Sequence, residues 1–437
     1  MELEREIKEK KVIVGVIGLG YVGLPLSIEI ARAGFSVKGV DLDRDRVSMV
    51  NRGKSYITDV TDEELSRYVR SNKLTAFEDY SVLKECGVIN ICVPTPFTKT
   101  KDPDISYIID STKRLANYLT PQKLIILRST TFPETTEKEV LPILERSGYK
   151  VGKDFFLSFA PERIDPGNKI YSFKNTPMVV GGITERCSEL TKLFYKNVVK
   201  DVVVVSSPKV AEMAKLLENI FRSVNIALVN ELALLCERMG IDIWEVIDAA
   251  STKPFGFMPF YPGPGIGGHC ILVDPYYLAW KAKEYDFHSN FIELAAEVNE
   301  NMPYRVVERL FDALSGKGIC PSNATILILG VAFKRDVKDT RNSPALKVMK
   351  LLKNKVKRIY YNDPYVEEIT IDGERYTSQE ITPNLIKRID CVLITTDHSI
   401  YRYDEILKAK LIFDTRNAIK ERGLPNLVTL GYNNRTL

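Results

Sequence analysis

The sequence predicts an α/β fold in which two doubly wound domains are joined by a central helical domain. Short apolar runs alternate with helical patterns up to about residue 205, and this alternation resumes near residue 324. Between them, residues 209–239 contain no glycine or proline, and their apolar residues recur at helical spacing. Strand–helix alternation implies a parallel sheet covered on both faces, whereas the unbroken stretch implies one long helix. We therefore predict domains at residues 1–205, 206–315 and 316–437.

Composition limits the classes of function. The chain of 437 residues is longer than one hydrophobic core commonly serves, and its net charge of +4 gives no support for a nucleic-acid or membrane partner. The N-terminus lacks an apolar signal core and no uninterrupted apolar stretch reaches transmembrane length, so we expect a cytoplasmic protein. Seven cysteines without paired spacing and only three histidines indicate reduced thiols and no metal site.

The individual elements follow from the apolar runs and their boundaries. A strand over residues 12–17 leads into the glycine-rich segment Gly18–Gly23, and a helix then extends to about Ala33. The long helix ends at Gly240, and a further helix is expected over about Asn290–Leu314. The remaining predicted strands are Phe35–Val40, Val88–Val93, Leu124–Leu127, Phe155–Phe159, Ala324–Leu329, Arg358–Tyr361, Cys391–Thr395 and Leu411–Phe413.

The motif Gly18-x-Gly20-x-x-Gly23 lies between a predicted strand and a predicted helix, as in a Rossmann-like dinucleotide-binding unit. Its glycines permit the tight turn, the approach of a pyrophosphate and close helix–strand packing, and the helix N-terminus offers N–H groups to phosphates. Asp41 stands at the end of the next strand and suits the ribose diol of NAD, although Arg44 and Arg46 leave NADP open. NAD is the expected cofactor.

A second chemical feature is the run Gly263–Pro275, in which Cys270 follows five glycines and prolines and precedes Asp274 by four residues. Glycine-rich backbone lets a ligand approach closely, and a thiol beside an ionisable group is typical of a nucleophile. In an NAD enzyme such a thiol can attack an aldehyde, and the thiohemiacetal is then oxidised to a thioester that water hydrolyses. The other six cysteines lie mostly in apolar segments typical of the core.

Thioester chemistry also needs an oxyanion stabiliser and a carboxylate that activates water. Lys215 and Asn219 are one turn apart on the predicted long helix and project from one face. Glu162 follows the predicted strand Phe155–Phe159, and Thr130 lies in a Ser-Thr loop where a hydroxyl can reach the nicotinamide. Structural alternatives stay open here, because a helical lysine is commonly a solvated charge and Glu162 could pair with its neighbour Arg163.

In this order, the motifs resemble the UDP-glucose/GDP-mannose dehydrogenase family over essentially the whole chain. Members of that family oxidise the C6 alcohol of a nucleotide sugar to a carboxylate with two NAD and no metal. The matching segments are Gly18–Pro25, Val93–Pro96, Ser129–Thr131, Ala160–Arg163, Ala211–Asn219, Gly267–Cys270, Ala332–Lys334 and Asp339–Pro344.

The resemblance implies roles for six catalytic positions, which are Cys270, Lys215, Asn219, Glu162, Asp274 and Thr130. The cysteine would be the nucleophile, the lysine and asparagine would stabilise the oxyanion, and the glutamate would be the base for hydrolysis. The threonine and the aspartate would assist through a water network.

A homodimer or higher homo-oligomer that forms through the middle helix is expected. The binding residues implied by the motifs and the resemblance form two sets. Cofactor contacts are expected at Gly18, Gly20, Tyr21, Val22, Gly23, Asp41, Arg46, Pro94, Thr95 and Thr130. Contacts to a UDP-sugar substrate are expected at Glu162, Arg163, Lys215, Asn219, Gly267, Lys334 and Arg341. A basic pair at the last two positions suits a diphosphate.

The cysteine loop also indicates the sugar. The UDP-glucose branch of the family commonly has a lysine where this chain has Val273, and often an upstream arginine that the segment Phe255–Tyr261 lacks. His269 before the cysteine resembles the branch that acts on UDP-N-acetylhexosamines, namely UDP-GlcNAc or UDP-ManNAc, which differ only at C2. In the Ser-Thr loop, Arg128 and Glu134 stand where relatives often have Glu and Gly.

Four alternatives stay open. The chain could be a UDP-glucose 6-dehydrogenase, or a nucleotide-sugar-binding protein without catalysis. A hydroxyacid dehydrogenase would use Lys215 and Asn219 without a covalent step. A tyrosine–lysine pair four residues apart occurs at Tyr277 with Lys281 and again at Tyr80 with Lys84, but that chemistry leaves the cysteine loop unexplained.

Overall fold

The structure is a computed structural model that describes residues 2–57, 59–98, 101–165, 168, 170–268 and 270–432. His269 therefore lies outside the described residues, and only the backbone of Cys270 is described. The chain divides into two compact units, the first of Met1–Glu218 with Tyr276–Phe287 and the second of Asn219–Pro275 with His288–Leu437. The predicted boundaries of three domains near residues 205 and 315 stay a prediction.

The first unit is built on a sheet with the described strand order β3-β2-β1-β4-β5-β6-β7-β8. Its strands are β1 (Ile13–Ile17), β2 (Ser36–Val40), β3 (Leu74–Phe77), β4 (Val88–Ile91), β5 (Lys123–Leu127), β6 (Phe155–Phe159), β7 (Met178–Gly182) and β8 (Val202–Val205). Neighbours pair in parallel except β6 with β7, which are antiparallel. The first six strands have the order of a dinucleotide-binding fold.

Helices cover both faces of this sheet, as the alternating pattern predicts. The helices of the first unit are α1 (Glu2–Lys8), α2 (Gly23–Arg32), α3 (Arg44–Asn51), α4 (Asp62–Arg70), α5 (Ser106–Ala116), α6 (Leu141–Glu145), α7 (Glu185–Tyr195) and the start of α8 (Pro208–Met239). Shorter turns are the 3-10 helices Tyr80–Glu85 and Lys283–Tyr285 and the π-helical turn Thr135–Val140. Strand β5 is almost entirely apolar because both of its faces are buried. Leu124 and Ile126 enter the core on one side of the sheet, and Ile125 and Leu127 enter the core on the other.

The second unit combines helices with a smaller parallel sheet of described order β10-β9-β13-β14-β15. Its strands are β9 (Thr325–Leu329), β10 (Arg358–Asn362), β11 (Glu368–Ile371), β12 (Glu374–Thr377), β13 (Cys391–Ile394), β14 (Ile412–Asp414) and β15 (Leu427–Thr429), with β11 and β12 forming a separate antiparallel hairpin. Its helices are the rest of α8, α9 (Ile243–Ser251), the start of α10 (Cys270–Ala282), α11 (Asn290–Gly316), α12 (Pro344–Leu352) and α13 (Pro383–Arg388), with 3-10 helices at Pro321–Asn323 and Ile406–Lys408. The prediction of two doubly wound sheets with helices between them is confirmed.

The run Gly263–Pro275 is predicted to be a loop, but its last residues, from Cys270 onward, are helical. Helix α10 begins at Cys270 itself and continues through Pro275 to Ala282. Proline removes one backbone hydrogen bond from a helix interior, which is why the sequence favours a loop here. Apart from Lys281, the following residues up to Ala282 are apolar or aromatic, and burial of Tyr277 stabilises the helix beyond the proline.

Helix α8 is unusually long, at 32 residues, and largely apolar. Among the described residues, it is a helix that is long and apolar enough to cross a membrane, with a mean hydropathy of 1.2 in its most apolar window. The core helix of a soluble protein passes the same test, and 44% of that window is buried in the structure. Asn219, Arg222 and Asn230 interrupt its apolar sequence. The absence of a membrane partner stays a prediction.

Two glycines of the first turn can be compared by substitution. A Cβ at Gly23 would lie 1.7 Å from the Gly18 carbonyl oxygen, whereas a Cβ at Gly20 would meet nothing within 4 Å. We expect Gly23→Ala to lower the free energy of unfolding by roughly 1–3 kcal/mol, because the turn and helix must separate. Gly20→Ala is the matched control and should keep the wild-type melting temperature. Equal melting temperatures for the two variants would contradict this packing.

Glu212 of α8 is a buried carboxylate that joins this helix to the turn after β5. It accepts hydrogen bonds from the backbone N–H of Glu134 (2.7 Å) and Thr136 (2.9 Å) and from the Thr136 hydroxyl (2.7 Å). Burial raises the pKa of Glu212 from 4.5 to about 7, against the hydrogen bonds from Thr136 and Glu134, which lower it. The folded state therefore holds this proton at a pH where the unfolded chain has released it.

Stability should consequently fall as the pH rises from about 4.5 to about 7, since the unfolded state binds fewer protons in this window. The contribution of Glu212 is on the order of 1–3 kcal/mol. We expect Glu212→Gln to flatten this part of the profile of melting temperature against pH. Glu297→Gln, an exposed substitution on α11, is the control and should keep the wild-type slope. An unchanged slope in Glu212→Gln would contradict the assignment.

Candidate active site

The first unit brings four predicted segments to one edge of its sheet. Strands β1, β4, β5 and β6 are parallel neighbours, so their carboxyl ends lie side by side. The segments that follow them are Gly18–Gly23, Val93–Pro96, Arg128–Pro133 and Ala160–Arg163. Ligands of open α/β sheets bind outside the carboxyl ends of the strands, and this edge is therefore the candidate site.

The glycine turn is shaped for close packing on one side and for a ligand on the other. Gly18 has a φ of +86° and its N–H donates to the Val40 carbonyl at 2.7 Å. Helix α2 follows with Val22 as its N-cap residue, without a side-chain cap among the described residues. Tyr21 is half exposed, and the space beside Gly20 is open. Uncapped N–H groups at a helix N-terminus next to open space suit a pyrophosphate.

Asp41 lies close to the glycine turn. Its carboxylate accepts from the N–H groups of Leu19 (2.8 Å) and Asp43 (3.0 Å). The Arg46 guanidinium is 3.7 Å from Asp41 and 3.3 Å from Asp43, and it lies over the ring of Tyr56. The 2′-phosphate of NADP would need a free arginine, but Arg46 is already paired with two carboxylates. This arrangement favours NAD over NADP.

The loops after β4 and β5 are tied together by hydroxyl groups. Ser129 Oγ donates to the Val93 carbonyl at 2.7 Å, and the Tyr277 hydroxyl reaches the Thr95 carbonyl at 2.7 Å. Tyr277 is fully buried and Lys281 pairs with Glu134, so this tyrosine–lysine pair serves packing. The predicted cofactor residues held in these two loops are Pro94, Thr95 and Thr130.

Glu162 lies just after β6 and has a partner that the sequence analysis did not identify. Its Oε2 accepts from the guanidinium of Arg128 at 2.7 Å, and its Oε1 accepts from the N–H groups of Arg163 (2.8 Å) and Ile164 (3.0 Å). The Arg163 side chain pairs instead with Glu218, 2.7 Å away. Three donors therefore fix the Glu162 carboxylate at the candidate edge.

Lys215 is a buried amine on α8, with 7% of the residue exposed. Within the described residues it has no ion-pair partner. Glu212, Lys215 and Asn219 follow one another at helical spacing, and all three are buried. A buried ammonium without a carboxylate partner is poised to stabilise developing negative charge.

In the second unit, Asn219 and Asp274, which are two of the predicted catalytic residues, lie in direct contact. The Asn219 amide nitrogen donates to the Asp274 carboxylate, and the Arg222 guanidinium donates to the Asn219 amide oxygen. Asp274 lies on α10 one turn after its first residue, Cys270. The two partners set the orientation of the Asn219 amide, because one requires a donor and the other an acceptor.

Gly268, two residues before Cys270, is held by hydrogen bonds within the second unit, one from backbone to backbone and one from the side chain of Asn342. The Gly268 N–H donates to the Arg341 carbonyl at 2.9 Å, and the Asn342 amide donates to the Gly268 carbonyl at 3.0 Å. A Cβ at Gly267 would lie 2.7 Å from the Phe333 Cβ, so packing alone requires glycine there. A contact of Gly267 with substrate stays a prediction.

The predicted basic pair lies between β9 and α12. Lys334 is half-buried and Arg341 is exposed. The Arg341 guanidinium forms a bidentate pair with Asp339, with its shortest contact at 2.6 Å. The pair expected to bind a diphosphate is thus present, with its arginine already oriented by a carboxylate.

Five of the other six cysteines are buried. Burial raises the pKa of Cys86 to about 11 and that of Cys92 to about 12, and it also raises the pKa of Cys391. Cys320 is the exception to the predicted core position: it is exposed, and a hydrogen bond with Ser322 lowers its pKa. In the described part of the chain, no group of three or more His, Cys, Asp or Glu could hold a metal ion.

The structure thus distributes the predicted catalytic residues over two sets. The first unit contains Thr130, Glu162 and Lys215, and the second contains Asn219, Cys270 and Asp274. Four side chains that hold segments of the candidate site were not predicted from the sequence, and they are Arg128, Glu212, Tyr277 and Asn342. The signal available for the arginine was a charge directly after an entirely apolar run, and the signal for the glutamate was its place three residues before Lys215.

Comparisons with known proteins agree with this geometry. The models of the UDP-glucose/GDP-mannose dehydrogenase family match in three parts: the NAD binding domain over residues 12–199, the central domain over 209–301 and the UDP binding domain over 327–421. The UDP-N-acetyl-D-mannosamine dehydrogenase of Pyrococcus horikoshii is 37% identical over 93% of this chain and 96% of that protein. The UDP-N-acetyl-D-glucosamine 6-dehydrogenase of Salmonella typhi is 35% identical over 90% of this chain and 91% of that protein.

A solved structure supports the same relationship. The structure of the UDP-D-ManNAc dehydrogenase from Pyrococcus horikoshii has a TM-score of 0.88 and 35% identity, and the match covers 96% of this chain and 99% of that one. The glycine turn and Asp41 lie within the matched NAD binding domain, and Lys334 and Arg341 lie within the matched UDP binding domain. The chain belongs to the UDP-glucose/GDP-mannose dehydrogenase family and is an NAD-dependent nucleotide-sugar dehydrogenase.

Proposed function

We propose that this protein oxidises the C6 alcohol of a UDP-N-acetylhexosamine to the uronic acid through a thioester on Cys270. The observation that carries the proposal is the buried bond between Asn219 and Asp274, one turn along α10 from Cys270. It equips the start of this helix with an oriented amide and a carboxylate, which the covalent route uses. The relatives named for UDP-N-acetyl-D-mannosamine and UDP-N-acetyl-D-glucosamine support the sugar class.

Cys270 is the proposed nucleophile because of its place in the backbone. The first residue of α10 lies at the positive end of the helix dipole, where a thiolate is stabilised. The thiolate adds to the C6 aldehyde and forms a C–S bond. Oxidation of the resulting thiohemiacetal then gives the thioester.

Lys215 and Asn219 are the proposed oxyanion stabilisers. The buried ammonium supplies charge, and the Asn219 amide keeps a second N–H beyond the one given to Asp274. Both donors are fixed before the reaction, so negative charge that develops on the aldehyde oxygen needs no rearrangement of the protein.

Glu162 is the proposed base for hydrolysis. Its Oε1 already accepts from two backbone N–H groups, whereas Oε2 accepts from Arg128 alone and keeps a lone pair that can accept from a water molecule. Water attacks the thioester carbonyl, the C–S bond breaks, and the thiol of Cys270 is restored. Thr130 and Asp274 are proposed to hold the associated water network.

The cofactor fits the glycine turn of the first unit. Gly20 leaves space for the pyrophosphate, α2 offers its N-terminal N–H groups, and Asp41 has lone pairs for the ribose hydroxyls. NAD, when bound, supplies the hydride acceptor for each of the two oxidations. One alcohol, two NAD+ and one water thus give one carboxylate, two NADH and three protons.

Substrate binding is proposed for the second unit. The Arg341 side chain is 46% exposed, and an ion pair that solvent reaches contributes little free energy, so a diphosphate can replace Asp339 at small cost. Lys334 would be the second cation, and Arg163 a further substrate contact. UDP-glucose is the alternative substrate, but Val273 is 1% exposed where a lysine would have to be buried.

The decisive measurement is the yield of NADH with UDP-GlcNAc, UDP-ManNAc and UDP-glucose in parallel. We expect two NADH per sugar with one of the N-acetylated substrates and at least tenfold lower kcat/KM with UDP-glucose. Cys270→Ser should lose carboxylate formation and keep binding of the UDP-sugar. Cys86→Ser, which removes a buried thiol far along the chain, is the control and should retain activity.

One NADH per sugar with accumulating aldehyde would exclude the covalent route. UDP-sugar binding without NADH from any of the three substrates would favour a binding protein without catalysis.

We also propose that two copies associate through α8. Exposed apolar residues recur along it at spacings of three, four or seven, namely Val210, Met213, Leu217, Phe221, Leu228, Leu232, Leu235 and Met239. Such a stripe on one helix matches the seam by which helices pair with a second copy of themselves. A second copy is the favoured occupant because the exposed apolar residues recur along most of one long helix, which is the pattern that pairs with an identical helix.

Replacing Leu228 and Leu235 together by lysine tests this seam. The two residues are 53% and 49% exposed, so the folded monomer should tolerate both changes. We expect light scattering to give a dimer for the wild type at micromolar concentration and a monomer for the double variant. Glu297→Lys on α11 is the control that adds positive charge elsewhere. A wild-type monomer would refute the interface.

A further inference from the structure

Arg128 is a charged side chain in an almost fully enclosed position. The residue follows β5 directly and is 1% exposed. Its guanidinium donates to Glu162 at 2.7 Å and to the Tyr195 hydroxyl at 3.0 Å, and that hydroxyl donates to Asn90 at 2.6 Å. The rings of Phe173 and Tyr195 lie 5.6 and 5.4 Å from the guanidinium carbon.

This environment makes Arg128 and Glu162 depend on each other. An arginine stays protonated when buried, and a buried charge requires an opposite charge at hydrogen-bond distance. Glu162 is the carboxylate that meets this requirement, since the other polar contacts of the guanidinium in the described structure are the Tyr195 hydroxyl and the Met178 sulfur. The guanidinium therefore holds the Glu162 carboxylate in one orientation.

The two oxygens of the Glu162 carboxylate have different partners. Oε2 faces the guanidinium of Arg128, and Oε1 faces the N–H groups of Arg163 and Ile164. The side chain of Glu162 is 17% exposed while that of Arg128 is fully buried, so solvent reaches the carboxylate but not its cation. A water molecule bound to Glu162 consequently has a restricted set of positions.

We infer that Arg128 is a positioning residue for thioester hydrolysis, acting through Glu162 on the attacking water. The inference rests on the proposed function, in which Glu162 serves that step. During the step the water oxygen forms a bond to the thioester carbonyl, the C–S bond breaks, and Glu162 receives a proton of the water. In this proposal, neither Arg128 nor Glu162 takes part in forming the thioester.

The test separates formation of the thioester from its hydrolysis. Arg128→Met should keep a rapid initial release of about two NADH per active site and then turn over at least tenfold more slowly than the wild type. Intact-protein mass spectrometry after acid quench should detect the sugar-nucleotide acyl adduct on most of the enzyme. Glu162→Gln should behave in the same way, and the double variant should lose no further activity, because both changes disable one step.

Two further variants keep the test valid if Arg128→Met folds poorly. Arg128→Lys retains a cation with a single point of contact and should recover part of the hydrolysis rate. Tyr195→Phe perturbs the same core and leaves the bond between Arg128 and Glu162 in place, so it should accumulate no adduct.

Loss of the initial release and of turnover in equal proportion, without adduct, would show a purely structural role and overturn the inference. Wild-type hydrolysis in both Arg128→Met and Arg128→Lys would overturn it as well. A wild-type enzyme that yields one NADH per sugar would instead refute the covalent route itself, and the two failures are thereby distinguished.

Discussion

Burial of polar side chains along one side of α8 is the constraint on which both parts of the candidate site depend. Glu212, Lys215 and Asn219 are at most 7% exposed, while apolar residues of the same helix face solvent. A surface helix usually has the opposite arrangement. Each buried group needs partners, which Glu212 finds in the backbone of the turn after β5 and Asn219 finds in Asp274. The helix thus orders a cofactor-side turn in one unit and α10 in the other.

Glycine serves both units for the same physical reason, the close approach of two backbones. At Gly23 the closest atom to an added Cβ is the carbonyl oxygen of Gly18, and at Gly267 it is the Phe333 Cβ. In each place the absence of a side chain lets one segment pack directly against its neighbour. Close packing therefore requires glycine at both positions.

Two arginine–carboxylate pairs illustrate how burial changes the use of one interaction. The Arg128–Glu162 pair is enclosed, so separating it would leave an unpaired charge away from water. In the Arg341–Asp339 pair the arginine side chain is 46% exposed, so solvent screens the attraction and separating the ions costs less. The same two residue types thus form a fixed pair where the arginine is enclosed and a weaker one where it is exposed.

The sequence by itself determined the fold class, the two sheets, the long helix to within a residue, and the family. These are encoded locally, in apolar runs, helical periodicity and glycine spacing that each act over a few residues. It also singled out Cys270, Asp274 and Asn219, because motif positions are fixed in sequence. Strand limits such as those of β1 and β6 matched for the same reason.

Only the tertiary structure decided which side chains hold these residues in place. Arg128 and Glu162 are separated by 34 residues, and Glu212 and Thr136 by 76, and no local pattern encodes such contacts. The start of α10 at Cys270 is likewise a tertiary result, since burial beyond Pro275 outweighs the cost of the proline. Chemistry-bearing residue types can be identified from sequence, but their partners depend on burial, which arises only when distant segments pack together.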